Sequence, residues 1–527
     1  MLSQLMMVKI MNIFSIITEG KVVYTAFIAI SIVTLSTIFF ISKSRSQIEA
    51  SLPPGPRGVP ILGYLPFLSP NLHHDFAKIA TKYGPIFKLW LGTKLCMVVS
   101  SPDLAKQLVR DHDKIMGNRD VTIAAKEITY GGIDISFSPY GPYWRNMRKV
   151  FARDMLSSRN LEATYTLRKT EVRKTIQYIH SKIGEKINIG DLGYRTALNV
   201  VMSMLWGGSV NEEMCNRVAV EVGDVSSDIM YLLGKPNISD LFPILERFDI
   251  QGVKSQMKKI FGRMDNILDK VLEERRKMGT ENIEGREEKK DVLQILLELK
   301  EHNEAGVSID NSQVKAIMVD IIIGGTDTTA TTLEWVMAEL IANPHVLKKL
   351  KHELTTMVGM NNIVEEVHLS KLKYLEACVK EALRLHPTLP FLLPKYPTQT
   401  TLVGGFTIPK ETKVFLNIWA LQRDPEVWKN PLEFNPDRFL DENCKFDFEG
   451  NNFRYLPFGS GRRICAGLPL AEKMVMYMLA SLLHSFDWKL PEGEVVDLTE
   501  KFGLSMKKSI PLIAIPFQRL NHIELYE

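Results

Sequence analysis

Cysteine is scarce in this chain, and its spacing excludes more than its number does. The five cysteines among 527 residues, Cys96, Cys215, Cys378, Cys444 and Cys465, form no Cys-x-x-Cys pair and no Cys/His zinc spacing. That argues against a disulfide framework and a zinc module, and an odd, sparse set fits reduced thiols in a cytosol-facing body. Excess charge is missing too: 65 Lys and Arg stand against 61 Asp and Glu, a net charge of +4. No nucleic-acid partner is implied by so small a balance. Internal repeats and low-complexity tracts are absent. With 45% hydrophobic and 24% charged residues the chain is ordinary globular protein, long enough for one large domain or two.

One long apolar run breaks this pattern. Val22 to Ile41 is uncharged and long enough to cross a bilayer core as a helix. A secretory signal usually has a shorter apolar region and a small-residue cleavage site. Lys43, Arg45 and Arg57 follow the run, against Lys9 and Lys21 before it, which favours a cytosolic body. On that side the Asn237-Ile238-Ser239 sequon would stay unused. The prolines of Leu52 to Pro60 cannot continue a helix and predict a stiff spacer. The expected layout is a lumenal segment over 1–21, a membrane anchor over 22–41, a hinge over 42–60 and a catalytic body over 61–527.

Within the body, Pro85 to Val99 predicts a hairpin turning at Gly92-Thr93. From there to about residue 390 the pattern is mainly helical. Glu273 to Asp291, with Gly279 and Gly285, reads as a solvated loop. Val403 to Asn417 returns to strand character and turns near Pro409-Lys410-Glu411.

The most informative stretch is Phe458 to Gly467, with the spacing Phe-x-x-Gly-x-Arg-x-Cys-x-Gly. A lone Cys465 sits in a glycine-rich turn before an apolar helix. Gly459, Gly461 and Gly467 let backbone pass close under a flat macrocycle. Amides leading into the following helix favour thiolate over thiol. A thiolate on haem iron donates strongly and favours O–O cleavage. Arg463 is placed to pair with a haem propionate and Phe458 to shield the sulfur. The plain alternative is a glycine-rich turn with an inert cysteine.

This motif resembles that of the haem-thiolate monooxygenases, the cytochrome P450 superfamily. The resemblance implies a mainly α fold with a small β portion, one haem b bound through Cys465, and electrons from NADPH through an NADPH-cytochrome P450 reductase. It further implies O2 and a small hydrophobic substrate, and an endoplasmic reticulum membrane protein with a single span.

Other segments carry the same resemblance. Val314 to Ala342 reads as one helix stopped by Asn343-Pro344, with Gly324-Gly325-Thr326-Asp327-Thr328-Thr329 at its centre. Two helical glycines cost about 1 kcal/mol each. A locally opened helix that holds O2 and water would justify them. The alternative is a kink whose polar residues bond back to the main chain. In the family the pattern is Ala/Gly-Gly-x-Asp/Glu-Thr; Thr328 would then donate a hydrogen bond to oxygen, Asp327 would relay protons, and Gly325 and Thr329 would border the haem. Glu381 and Arg384 match the family's Glu-x-x-Arg, with Arg438 as the third member of a buried structural triad. Trp144 and Arg148 match the Trp-x-x-x-Arg helix that meets a propionate. Lys395 stands where relatives usually carry arginine or histidine, so charge is kept and the forked donor lost.

The motifs run from the hinge to the cysteine loop and resemble plant microsomal members. Gly117 to Asp120, Ser138 to Arg145, Leu205 to Gly208, Gly234 to Asp240 and Met506 to Lys508 are similar to the group that includes δ-cadinene hydroxylase. Expected substrate-facing residues are Ile133, Ile135 and Phe137, Ile322 and Thr326, Leu389, Phe391 and Leu392, and Leu504 and Met506. Their apolar character suits hydroxylation of a sesquiterpenoid or other terpenoid. Flavonoid or phenylpropanoid hydroxylation, a haem-thiolate isomerase or dehydratase, and a non-enzymatic haem carrier remain as alternatives.

Overall fold

A computed structural model describes residues 51–207, 212–278, 291–302, 309–441 and 446–527. The expected anchor over 22–41 and the lumenal segment lie outside these residues. Among the described residues no helix is long and apolar enough to cross a membrane.

The hairpin forms where the sequence placed it. Strands β1 (Ile86–Leu91) and β2 (Lys94–Val99) pair antiparallel. Gly92 makes the turn at φ +60°, a region that suits glycine. The proline-rich stretch is not a free spacer. Leu52 is buried, Lys88 N donates to Pro54 O at 2.9 Å, and Val59 bridges Gly63. Proline leaves carbonyls but no amide to satisfy, so the segment docks on the sheet edge through acceptors.

Next along the chain come β3 (Asn118–Arg119), α1 (Pro142–Val150), α2 (Ile189–Trp206), α3 (Val253–Met278), α4 (Asn311–Ala342), α5 (Lys373–Leu385), β4 (Lys395–Tyr396), β5 (Lys413–Leu416), α6 (Leu468–Ser485), β6 (Glu500–Lys501) and β7 (Lys507–Lys508). The larger sheet has the order β1-β2-β5-β4-β3, with β2 and β5 parallel. Strand β3 interrupts the run expected to be helical, and α3 continues to Met278 through part of the expected loop at 273–291. Positions 279–290 lie outside the described residues.

Helix α4 is the axis of the body. A capping box of Asp310 and Gln313 starts it, and Asn343-Pro344 ends it. Ile317 and Ile322 join one hydrophobic cluster with Val201 and Met147; Leu333 and Met337 join a second with Leu383 and Leu479. A helix apolar nearly all round belongs in a core. It crosses α2 closely: a Cβ on Gly193 would meet Leu333 at 3.0 Å, and one on Gly325 would meet Val201 at 3.1 Å.

Candidate active site

Between α1, α4 and the segment before α6 lies a cavity of about 330 Å³. Cys465 lines it, as do Phe458, Gly459, Arg463 and Gly467 from the same loop. The turn is held by Cys465 N donating to Phe458 O at 3.0 Å. Gly461 takes φ +69°, and a Cβ there would meet Val109 O at 2.2 Å. No atom lies within 4 Å of a Cβ built on Gly467, so that glycine leaves space for a ligand.

The thiol opens on the cavity yet sits deep in the body. Burial pushes it above its ordinary value, opposed by the amides of Gly467 and Leu468 and by the Arg148 guanidinium. The amides leading into α6 thus act in the direction expected from sequence, toward thiolate, against the cost of burial. A metal cation at the sulfur would supply the missing charge.

Cations gather in the cavity wall. Arg119 and Lys395 face each other across β3 and β4, and both line the cavity with Arg463 and Arg148. Burial lowers Arg119 to about 9 and Arg463 to about 10; Lys395 is driven well below its ordinary value by burial, Arg119 and Arg463. Arg119 Nε is buried without a hydrogen-bond partner. Such crowding is unfavourable unless anions enter. A haem, with two propionates and an iron that takes a thiolate, fits this donor set. Toward such a group Lys395 would offer a point charge and Arg119, not among the residues expected from sequence, a forked donor.

Trp144 and Arg148 both line the cavity from α1. Arg148 Nη2 donates to Ile464 O at 2.8 Å, while Trp144 Nε1 donates to Ile135 O at 2.9 Å. Arg463 stacks over Trp144 at 4.2 Å and donates to the carbonyls of Gly117, Ile135 and Ser138.

On the facing side, Gly324, Gly325, Thr328 and Thr329 of α4 line the same cavity. The helix stays closed through them. Thr326, Thr328 and Thr332 each bond back to the carbonyl four residues earlier, Thr328 at 2.6 Å to Gly324 O. The expected local opening is absent; Gly324 instead presents bare backbone to the cavity, with nothing within 4 Å of its missing Cβ. Asp327 is buried off the cavity wall, paired with Lys507 at 2.5 Å and hydrogen-bonded by Ser505 Oγ. Ser505 does line the cavity, so it links the acid to the void.

Of the expected substrate-facing residues, Ile135, Phe137, Leu389, Leu392 and Leu504 line the cavity. Five do not. Ile322 and Thr326 are buried one turn apart, on the flank of α4 away from the wall. Phe391 packs with Phe76, Phe415 and Phe502. Met506 is fully buried, with its carbonyl accepting from Trp335 Nε1, and Ile133 is off the wall with its carbonyl accepting from Tyr143.

Beneath the site, Arg384 forks onto Glu381 at 2.7 and 2.9 Å, and Arg438 Nε reaches the same carboxylate at 2.9 Å. Arg384 also donates to the carbonyls of Gln422, Pro431 and Glu433, which ties down the segment leading to the cysteine loop.

The family model described as Cytochrome P450 matches residues 53–514. The chain is 37% identical over 508 residues to Flavonoid 3'-monooxygenase CYP75B137 of Crocosmia x crocosmiiflora, covering 94% of this chain and 98% of that one. It is 36% identical over 497 residues to Geraniol 8-hydroxylase of Swertia mussotii, covering 93% and 98%. A zebra fish cytochrome P450 solved with progesterone superposes with a TM-score of 0.72 at 25% identity, over 86% of this chain and 100% of that one. A cavity between a cysteine loop and a threonine-bearing helix, walled by cations, and these full-length likenesses agree: the chain belongs to the cytochrome P450 family, as a haem-thiolate monooxygenase.

Proposed function

We propose that this chain is a membrane-anchored monooxygenase of the plant endoplasmic reticulum, with residues 22–41 as anchor, that hydroxylates a hydrophobic terpenoid. The observation that carries this reading is the shared cavity of Cys465 and Thr328, with an otherwise largely apolar wall. Bound haem supplies O2 activation and insertion of one oxygen atom into the substrate, with electrons from NADPH through a reductase. Cys465 would hold the iron, and Arg463, Arg148, Arg119, Lys395 and Trp144, which line the cavity with it, would border the propionate edge. Phe458 covers one side of the sulfur, and the glycines of its loop keep the backbone low.

The protein's own part in the chemistry is proton control. Thr328 spends its hydroxyl hydrogen on Gly324 O, so it accepts a hydrogen bond as it stands and donates one after rotation. Lys507, half exposed, meets solvent; Asp327 receives a proton there, and Ser505 carries it to the cavity edge near Thr328. Apolar groups such as Phe137, Leu389 and Leu504 exclude bulk water and orient the substrate. Relatives named for geraniol and for flavonoids keep two substrate classes in view; the largely apolar wall favours the terpenoid.

The test is expression of the full chain in microsomes with a reductase, offering sesquiterpenes, flavonoids and aldoximes with and without NADPH. An oxygenated terpene formed only with NADPH supports the reading. Product from flavonoids alone replaces the substrate class, and turnover without NADPH points to an isomerase or dehydratase.

A further inference from the structure

Two of the carboxyls in the cavity wall, neither used in proton delivery, face each other across one loop. Asp134 lies in the loop before α1, and Asp320 sits on α4 one turn before Gly324; both line the cavity. They grip the same stretch of loop. Asp320 accepts from Ile135 N and from Ser136 Oγ, each at 2.6 Å, and Asp134 Oδ2 accepts from Phe137 N at 2.7 Å. Both oxygens of Asp320 are thereby engaged. Asp134 Oδ1 has no hydrogen-bond partner, although Asp134 is only 4% exposed. A buried polar atom left in that state is unfavourable until a partner arrives.

Protonation decides which partner fits. Burial and the Asp320 charge push Asp134 up to about 8, and burial pushes Asp320 up to about 6. Arg463, from the cysteine loop, opposes the rise at Asp134, and the Tyr143 phenol on α1 is the other titratable group facing the pair. The two carboxyls titrate together, and burial favours the pair's keeping a proton near neutral pH. A neutral carboxyl beside a guanidinium suits an uncharged oxygen function better than an ammonium group.

We propose that Asp134, with Asp320 behind it, anchors a hydroxyl group of the substrate, so that the compound taken is an oxygenated hydrophobic molecule rather than a bare hydrocarbon. The proposal rests on the monooxygenase reading and narrows its substrate class. Asp320 precedes Thr328 by eight residues, about 12 Å along a helix. Asp320, behind the anchor, thus sits about two helical turns from Thr328.

Spectral binding titrations of the haem-loaded full chain test this, with two matched pairs of probes: β-farnesene against farnesol, and flavone against 7-hydroxyflavone. In at least one pair the hydroxylated member binds about tenfold tighter, the effect of one buried hydrogen-bond partner. Asp134→Val abolishes that preference. Asp134→Asn keeps it, because the amide N–H replaces the carboxyl proton. Should the valine variant fail to take up haem, the wild-type ratio and the asparagine variant still decide. Equal affinities within both pairs, or no binding by any probe, overturn the anchor. So does loss of the preference in Asp134→Asn, which would require a carboxylate. A preference seen only in the flavone pair keeps the anchor and removes the terpenoid assignment instead.

Discussion

Lys507 lies 2.5 Å from Asp327, with the lysine half exposed and the carboxylate buried in α4. The pair joins solvent to the interior at the one turn where α4 offers bare backbone to the cavity. Asp327 has no place in the cavity wall itself; Ser505, which donates to it, does. On the proposed relay, proton supply to the site would depend on a hairpin residue as well as on the helix.

Asp327→Asn therefore lowers NADPH-driven product formation by about 10²-fold, a typical size for losing a positioned proton donor. The carbonyl spectrum of the reduced protein stays normal, since neither haem nor Cys465 is touched. Ser505→Ala falls in the same direction by roughly tenfold, and both variants show a larger solvent isotope effect than wild type. An unchanged rate in both variants would remove the relay.

Glu381 and Arg384 are fully buried, and Arg438 completes their network. Glu381→Gln leaves two guanidinium groups without their counter-charge, at a cost of about 3–5 kcal/mol. The expected result is a large drop in the thermal midpoint and in the yield of haem-loaded protein. Turnover per haem in the surviving fraction stays near wild type, which separates a structural role from a chemical one.

Arg119→Gln removes a forked donor from the cation cluster. Loss of haem to an acceptor protein should then be about tenfold faster, the worth of one charge-assisted hydrogen bond. A rate equal to wild type would mean that Arg463, Arg148 and Lys395 hold the propionates without it.

The acid pair gives stability a pH signature. Asp134 sits above its ordinary 3.8, at about 8. Between those values the folded protein binds more protons than the unfolded chain, so stability falls as pH rises. Below about pH 4 the group is protonated in both states, and its contribution is fully present. Asp134→Asn removes this dependence. Its thermal midpoint, relative to wild type, should be higher at pH 8 than at pH 4.

Much of the site was legible because it depends on local spacing. The cysteine loop fixes its own turn, Glu381 and Arg384 share a face at a separation of three, and Gly92 marks a hairpin. Helical phase explains part of what was misread. Ile322 and Thr326 have the right composition for a pocket wall, yet they fall on the flank of α4 away from it. Long-range pairing explains the rest. Arg119 enters the site through a two-residue strand paired with Lys395, and Asp320 meets Ile135 from 185 residues away. No periodicity reports such contacts, although the run Gly117-Asn118-Arg119-Asp120 already stood out as a motif.

The role of Cys465 is tested most directly by the carbonyl difference spectrum of the reduced full-length protein, recorded beside Cys465→Ala. The wild type should show a thiolate-type band, and the variant its complete absence together with loss of NADPH-dependent product. A variant that kept the thiolate-type band would place the iron on another residue and contradict the assignment.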